Sequence, residues 1–346
     1  MTRRRLLLDL ALAFRQSKLD EAVRLIEDRI TSGKVSAAAL SVRSGNAEFK
    51  RGFGKAGTSD AVFLLASITK PMTCTAVMLL ADRKELSITD PVQKFIPEFQ
   101  GGERNRVLIR HLLTHTSGLP DMLPENTDLR KRHAPLKDFV AASCRTPLLF
   151  SPGTRVRYQS MGTLLASEIV ARITNRPFPA FLHEELFEPL GMQQTSLGLG
   201  GRAISDTMLC QVDEVTNWDW NSTYWRNLAS PWGGAHSTVT DVSRFLHYFA
   251  RPDSKVLKPE TAALMIRNQN AGLNQPWGIG WMLNGSKFGK GCSQQTFGHS
   301  GSTGTLCWLD QENGLSFVLL TTKPAASSRR TLLQPVSNLV SESSHG

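Results

Sequence analysis

The stretch Ser67-Ile68-Thr69-Lys70-Pro71-Met72-Thr73-Cys74-Thr75-Ala76-Val77-Met78-Leu79-Leu80 decides how the rest of the chain is read. Met72, Ala76, Val77, Leu79 and Leu80 fall at helical spacing, and Pro71 sits in the first turn, where a missing N–H costs little. A long helix is therefore expected to begin at Ser67. Residues three apart share a helix face, so Ser67 stands at the positive end of this helix with Lys70 beside it.

Upstream, residues 37–42 and 47–53 read as two strands joined by a Gly45-Asn46 turn. Before them, residues 20–33 place Val23, Leu25, Ile26 and Ile30 on one helical stripe that ends at Gly33. Downstream, residues 84–230 hold helix-like segments at 107–113, 136–144, 161–175 and 178–187, broken by Pro/Gly loops and without strand alternation. A helix follows near 240–250, with Thr238 and Asp241 spaced like a capping box. Strand patterns return at 278–283, 295–300, 304–309 and 315–321, and a last helix runs near 329–341. Strand-rich ends around a helical middle predict an α/β (α+β) fold, an antiparallel sheet flanked by helices and shared by the two ends of the chain, with a mostly helical domain inserted. The expected division is a helical extension at 1–34 and a main domain at 35–346. In that domain a sheet lobe takes about 35–66 and 240–346, and a helical lobe about 67–239. A cleft between lobes is a usual place for a site.

Composition narrows the function without naming it. With 346 residues, 40% hydrophobic and 20% charged, the chain can bury a real core. The net charge of +10 is spread thinly; the densest basic run is Arg3-Arg4-Arg5, and neither a basic helix interleaved with aromatics nor a zinc-finger spacing occurs. Nucleic acid is not expected as a partner. Cys74, Cys144, Cys210, Cys292 and Cys307 are odd in number and scattered, which fits free thiols in a reducing, cytoplasmic setting. The run 6–13 imitates a signal peptide, but it is short and carries Asp9, so an amphipathic helical extension is the expectation; a secreted or periplasmic location would follow if 1–13 acted as a signal. No stretch approaches the ~20 apolar residues of a membrane span. The oligomeric state is not legible.

Three groups carry chemistry. Serine is a weak nucleophile that needs a neighbouring base, and a lysine desolvated in a cleft can lose its proton near neutral pH. Ser67 and Lys70 have that spacing, although a serine at a helix start is more often just a cap. Tyr158 follows the Ser151-Pro152-Gly153-Thr154 turn; aimed into a cleft beside a lysine, it would have a lowered pKa and relay protons. Gly298-His299-Ser300-Gly301-Ser302-Thr303-Gly304 lies on or beside a late strand, where glycines let a substrate lie against the strand edge.

Taken in order, Ser-x-x-Lys at 67, Tyr-x-Ser at 158 and His-x-Gly at 299 resemble the penicillin-recognising serine hydrolases. That superfamily includes class C β-lactamases, D-alanyl-D-alanine carboxypeptidases and family VIII esterases. Phe63-Leu64-Leu65-Ala66, His111-Leu112-Leu113-Thr114-His115-Thr116-Ser117-Gly118-Leu119 and Trp232-Gly233-Gly234-Ala235-His236-Ser237-Thr238 extend the likeness over roughly residues 35–325. The resemblance implies a β-lactamase/transpeptidase-like fold in which Ser67 is acylated while Lys70 and Tyr158 share general-base and general-acid duty. It also implies that the N–H groups of Ser67 and Ser302 hold the oxyanion, with His299, Gly301 and Ser160 bordering the substrate. It implies no cofactor and no metal. Two positions depart from the pattern: His299 stands where a lysine is usual, and Ser160 where an asparagine is usual. Histidine supplies charge only when protonated, and a hydroxyl cannot reproduce a two-group amide contact. Binding of penicillins and D-Ala peptides is thereby disfavoured, and a small-molecule carboxylic ester becomes the leading substrate. A β-lactamase, a D-Ala-D-Ala carboxypeptidase or D-aminopeptidase-type amidase, an acyltransferase, and a non-catalytic binding protein on the same fold are the alternatives.

Other patterns lead elsewhere and are set aside. Gly52-Phe53-Gly54-Lys55-Ala56-Gly57 fits a dinucleotide motif but no βαβ unit surrounds it. His111 and His115 have metal-pair spacing without a glutamate between them, and no Gly-x-Ser-x-Gly elbow exists. Trp218, Trp220, Trp225 and Trp232 fit either an acyl pocket or core packing.

Overall fold

The computed structural model describes residues 16–344. The 1–13 segment with its signal-like run lies outside the described residues. A six-stranded antiparallel sheet forms the frame, in the order β2-β1-β10-β9-β8-β7. Its strands are β1 (Ala37–Ser44), β2 (Ala47–Gly54), β7 (Met282–Leu283), β8 (Thr296–Gly301), β9 (Thr305–Asp310) and β10 (Leu315–Thr321). The two ends of the chain meet in its centre, where β1 pairs with β10 (Ala39 opposite Leu320, Val42 opposite Phe317).

Alternation explains why β10 is buried along its whole length. Successive side chains point to opposite faces of a strand, and both faces of this sheet are covered. Leu315, Phe317 and Leu319 join one core with Leu40, Val42 and Trp308; Val318 and Leu320 join the other with Ala39 and Phe297. The first core is closed by α1 (Gln16–Thr31), through Leu19, Ala22, Val23 and Ile26, together with the C-terminal α8 (Gln334–Ser341). The N-terminal helix is thus part of the sheet's outer layer.

The second core lies under the inserted helices. Its centre is α2 (Thr69–Asp82), buried along nearly its whole length and packed on α5 (Met161–Thr174). Around them stand α3 (Asn126–Lys131), α4 (Leu136–Arg145), α6 (Thr223–Asn227) and α7 (Val239–Ala250). Thr238 caps α7 by accepting from the Asp241 N–H. The reciprocal arm of the expected capping box is missing, because the Asp241 carboxylate accepts instead from Gln194 N–H, Thr195 Oγ1 and Arg244. A second, four-stranded sheet, absent from the sequence reading, is built from β3 (Val62–Leu64), β4 (Ser196–Leu197), β5 (Thr207–Met208) and β6 (Ala235–Ser237). Strands of two or three residues are too short to display alternation.

Phe249 of α7 packs rings with Phe245, Trp281 and Tyr248 at 5.2–5.5 Å between centroids. Phe249→Ala removes that ring from a site 1% exposed. It is expected to destabilise the fold by about 3–5 kcal/mol, measured by urea denaturation.

Candidate active site

Ser67 is presented by a sharp turn of backbone. After β3 the chain passes through Ala66 at φ 49°, a left-handed conformation that costs a non-glycine residue about 1–2 kcal/mol. Ala66–Ile68 then form a tight 3-10 turn, and α2 begins at Thr69, two residues later than the apolar spacing predicts. Hydrogen bonds hold the strained turn in place. Thr69 Oγ1 donates to the Ala66 carbonyl at 2.7 Å and accepts from the Ala235 N–H at 3.0 Å. From the β8–β9 turn and the start of β9, the Thr303 and Thr305 hydroxyls donate to the Leu64 and Leu65 carbonyls at 2.7 and 2.8 Å. A Cβ at Gly301 would lie 2.3 Å from the Leu65 carbonyl oxygen, so glycine there lets β8 lie against the turn that carries Ser67.

Lys70 sits in the first turn of α2 with its side chain 1% exposed. Its Nζ donates to Ser67 Oγ at 3.0 Å and to the Trp232 carbonyl at 2.9 Å, and lies 4.8 Å from the centre of the Tyr158 ring. Burial pulls the amine from its ordinary 10.5 to about 7, with Asp121 and Cys74 restoring only part. Lys70 is therefore divided between its charged and neutral forms near neutral pH. Tyr158 shares a hydrogen bond with the Ser67 side chain. The expected lowering of its pKa is overturned: burial pushes it above the ordinary tyrosine value, and the Ser67 hydrogen bond offsets only part of the rise. The phenol keeps its proton at neutral pH, which suits donation and relay rather than abstraction.

The Tyr158 segment rests on the stretch at 111–119, the end of a short helix and the turn that follows it. Gln159 N–H donates to His115 Nδ1 at 3.2 Å, Arg157 N–H to the His115 carbonyl at 2.9 Å, and the Gln159 amide to the His111 carbonyl at 3.0 Å. Ser117 Oγ donates to Gln159 Oε1 at 2.5 Å. The His115 ring stands 4.7 Å from the Tyr158 ring. Burial, with Lys70 and His299 nearby, holds His115 well below the usual histidine range, so it stays neutral. His111 and His115 each spend Nδ1 on a backbone N–H, and among the described residues no group of three or more His, Cys, Asp or Glu side chains could hold a metal ion.

A cleft of about 440 Å³ opens over Ser67 and is bordered by Tyr158, Ser160, Gly301 and Ser302. His299 is not among the residues that border it, although the next two residues, Ser300 and Gly301, are. The ring lies buried, 6.2 Å from both Tyr158 and Trp277, with Nδ1 2.8 Å from the Ser300 carbonyl. Burial and the Lys70 charge pull it down to about 3, so it carries no positive charge at neutral pH. Ser160 reaches the cleft, but its hydroxyl is committed to Asp121 Oδ1 at 2.5 Å. Trp220, Trp225 and Trp232 line the cleft, and Trp225 and Trp232 also belong to the buried core; Trp218 stands outside the lining. Sequence reading missed Asp121 and Gln159, whose roles are visible only once the two loops are docked; the position of Asp121, two residues past Leu119 of the 111–119 stretch, was the available signal.

Comparison with known proteins gives the same frame. The Beta-lactamase family model matches residues 22–337. Penicillin-binding protein 4 of Amycolatopsis lactamdurans is 31% identical over 273 residues, covering 73% of this chain and 69% of that protein. Esterase EstB of Burkholderia gladioli is 33% identical over 181 residues, 46% of each chain. The solved structure of EstCE1, described as a hydrolase with promiscuous acyltransferase activity, superposes with a TM-score of 0.76 at 19% identity, over 94% of this chain and 99% of that one. With a match spanning both ends of the sheet and the helices between them, the chain belongs to the beta-lactamase family of serine hydrolases.

Proposed function

We propose that the protein hydrolyses carboxylic esters through an acyl-enzyme on Ser67. The observation that carries this reading is the 3.0 Å contact between Ser67 Oγ and a buried Lys70 whose pKa lies at about 7. In the proposed reaction neutral Lys70 takes the Ser67 proton as Oγ bonds to the ester carbonyl carbon, and the backbone N–H groups of Ser67 and Ser302 receive the oxyanion. As the bond to the alcohol oxygen breaks, the proton passes through the Tyr158 hydroxyl to the leaving alkoxide. Water then attacks the acyl-enzyme by the same proton route in reverse, releasing the acid and restoring Ser67. The uncharged His299 supports an ester over a penicillin, since the third motif offers no fixed positive charge to a ring carboxylate. The esterase among the relatives supports the same choice.

Turnover of p-nitrophenyl butyrate and nitrocefin, measured side by side, tests the choice of substrate. A lost charged hydrogen bond weakens binding by about 1.5–3 kcal/mol, so kcat/KM for the ester is expected to exceed that for nitrocefin at least tenfold, about the lower end of that range. The reverse order would overturn the ester reading. The pH profile follows from Lys70. Its folded pKa is lowered, so below about 7 it is protonated and cannot accept the Ser67 proton. The kcat/KM for the ester is expected to rise through that pH and to fall about tenfold per unit below it. A flat profile between pH 5 and 8 would exclude Lys70 as the titrating base.

A further inference from the structure

Past Trp232 the cleft continues to a wall that the chemistry at Ser67 does not use. The Trp232 carbonyl holds Lys70, while its ring stands edge-on to Trp225 with centroids 6.4 Å apart. Beyond Trp225 comes Arg130 of α3, its guanidinium carbon 4.0 Å from the centre of the Trp225 ring and 5.0 Å from that of Trp218. One terminal nitrogen, Nη2, donates to the Trp218 carbonyl at 2.8 Å. Two indoles and a carbonyl thus hold the guanidinium plane in place, which suits it to paired recognition of a flat anion. The charge is poorly compensated. Among the described residues no carboxylate lies within ion-pair distance of Arg130, its buried Nε has no partner, and burial lowers its pKa with Tyr224 and Asp219 restoring only part. One turn earlier on the same helix face Asn126 also borders the cleft.

We propose that Arg130 is a specificity-determining subsite for a carboxylate carried on the acyl group of the substrate. Half-esters of short dicarboxylic acids then fit this cleft better than neutral esters of equal length. The inference rests on the acyl-enzyme reading of Ser67. The acyl side is assigned by exposure. The alcohol must leave and water must enter on the open side, bordered by the exposed Ser302 and Arg329, whereas at the other end Trp225 and Trp232 are buried and Arg130 and Asn126 half-buried. The acyl group is the part that stays bound through both steps, so its far end belongs against the more buried wall.

The test compares p-nitrophenyl hydrogen glutarate with p-nitrophenyl valerate for wild type, Arg130→Gln, Arg130→Lys and Arg329→Gln. The quantity read is the ratio of kcat/KM values, anionic over neutral. It is expected to exceed one in wild type and to fall about 10- to 100-fold in Arg130→Gln, the worth of one charged hydrogen-bonded pair. Arg130→Lys keeps the charge but not the fork and is expected to lie between; it decides the matter if the glutamine variant does not fold. A wild-type ratio at or below one overturns the proposal. So does a ratio unmoved at position 130 but lost in Arg329→Gln, or a preference for 4-carboxyphenyl butyrate, with its carboxylate on the alcohol side, over the glutarate. Valerate turnover separates the two layers of the argument: if wild type hydrolyses valerate but not the glutarate preferentially, only the subsite fails. If it hydrolyses neither, the ester reading fails and takes the subsite with it.

Discussion

Ser67→Ala is expected to lower turnover of p-nitrophenyl butyrate by about three orders of magnitude or more, to the level left by binding and oxyanion contacts alone. Deleting one oxygen removes the hydrogen bonds to Lys70 and Tyr158 but leaves the turn that presents residue 67 in place. The turn is held by the Thr69, Thr303 and Thr305 hydroxyls and by Gly301, none of which depends on the Ser67 side chain. The variant should therefore keep the wild-type fold and lose no more than the hydrogen bonds that Ser67 Oγ makes with Lys70 and Tyr158, so that loss of rate in a folded protein reports chemistry. Retention of more than a tenth of wild-type kcat would place the nucleophile elsewhere.

Lys70→Met is expected to cost about 10²–10⁴ in kcat, the usual worth of a positioned general base. Methionine fills a similar buried volume without a proton acceptor, and the residual rate should lose the rise through pH 7 that Lys70 imposes. Stability should move the other way. Burial depresses the folded pKa of Lys70 from 10.5 to about 7, so the unfolded chain binds the proton more tightly than the folded one. The folded state therefore carries a penalty at every pH below 10.5, largest below about 7, and methionine removes it. Lys70→Met should be more stable than wild type at neutral pH, with the gain shrinking as the pH is raised toward 10.5. A variant that loses activity and stability together would assign Lys70 a packing role.

The frame was legible where the sequence repeats a period long enough to read. β10 displayed its pattern over seven residues and α2 over fourteen, and both lie where the apolar spacing put them to within two residues. The four-stranded sheet around β3 escaped because β4 and β5 contribute two residues each and are fixed by long-range pairing alone. At the site, motif order brought Ser67, Lys70, Tyr158, Gly301 and Ser302 together. It gave no account of burial, which reverses the expected behaviour of Tyr158 and strips His299 of the charge a substrate would meet. A pKa is a property of the folded environment, and no spacing rule carries it. The 111–119 stretch is the intermediate case: its resemblance was visible in the residues, but its physical task, holding Gln159 and hence Tyr158 over Lys70, needed the folded chain.

The acyl-enzyme itself is the most direct measurement. Wild-type protein mixed with a slowly deacylating p-nitrophenyl ester, quenched in acid within the first turnovers and weighed intact, should carry one added acyl mass, and digestion should place that mass on the peptide containing Ser67. The adduct should be absent from Ser67→Ala treated in the same way. An acyl group found on any other residue, or full ester turnover with no adduct at any quench time, would contradict the assignment of Ser67 as the nucleophile.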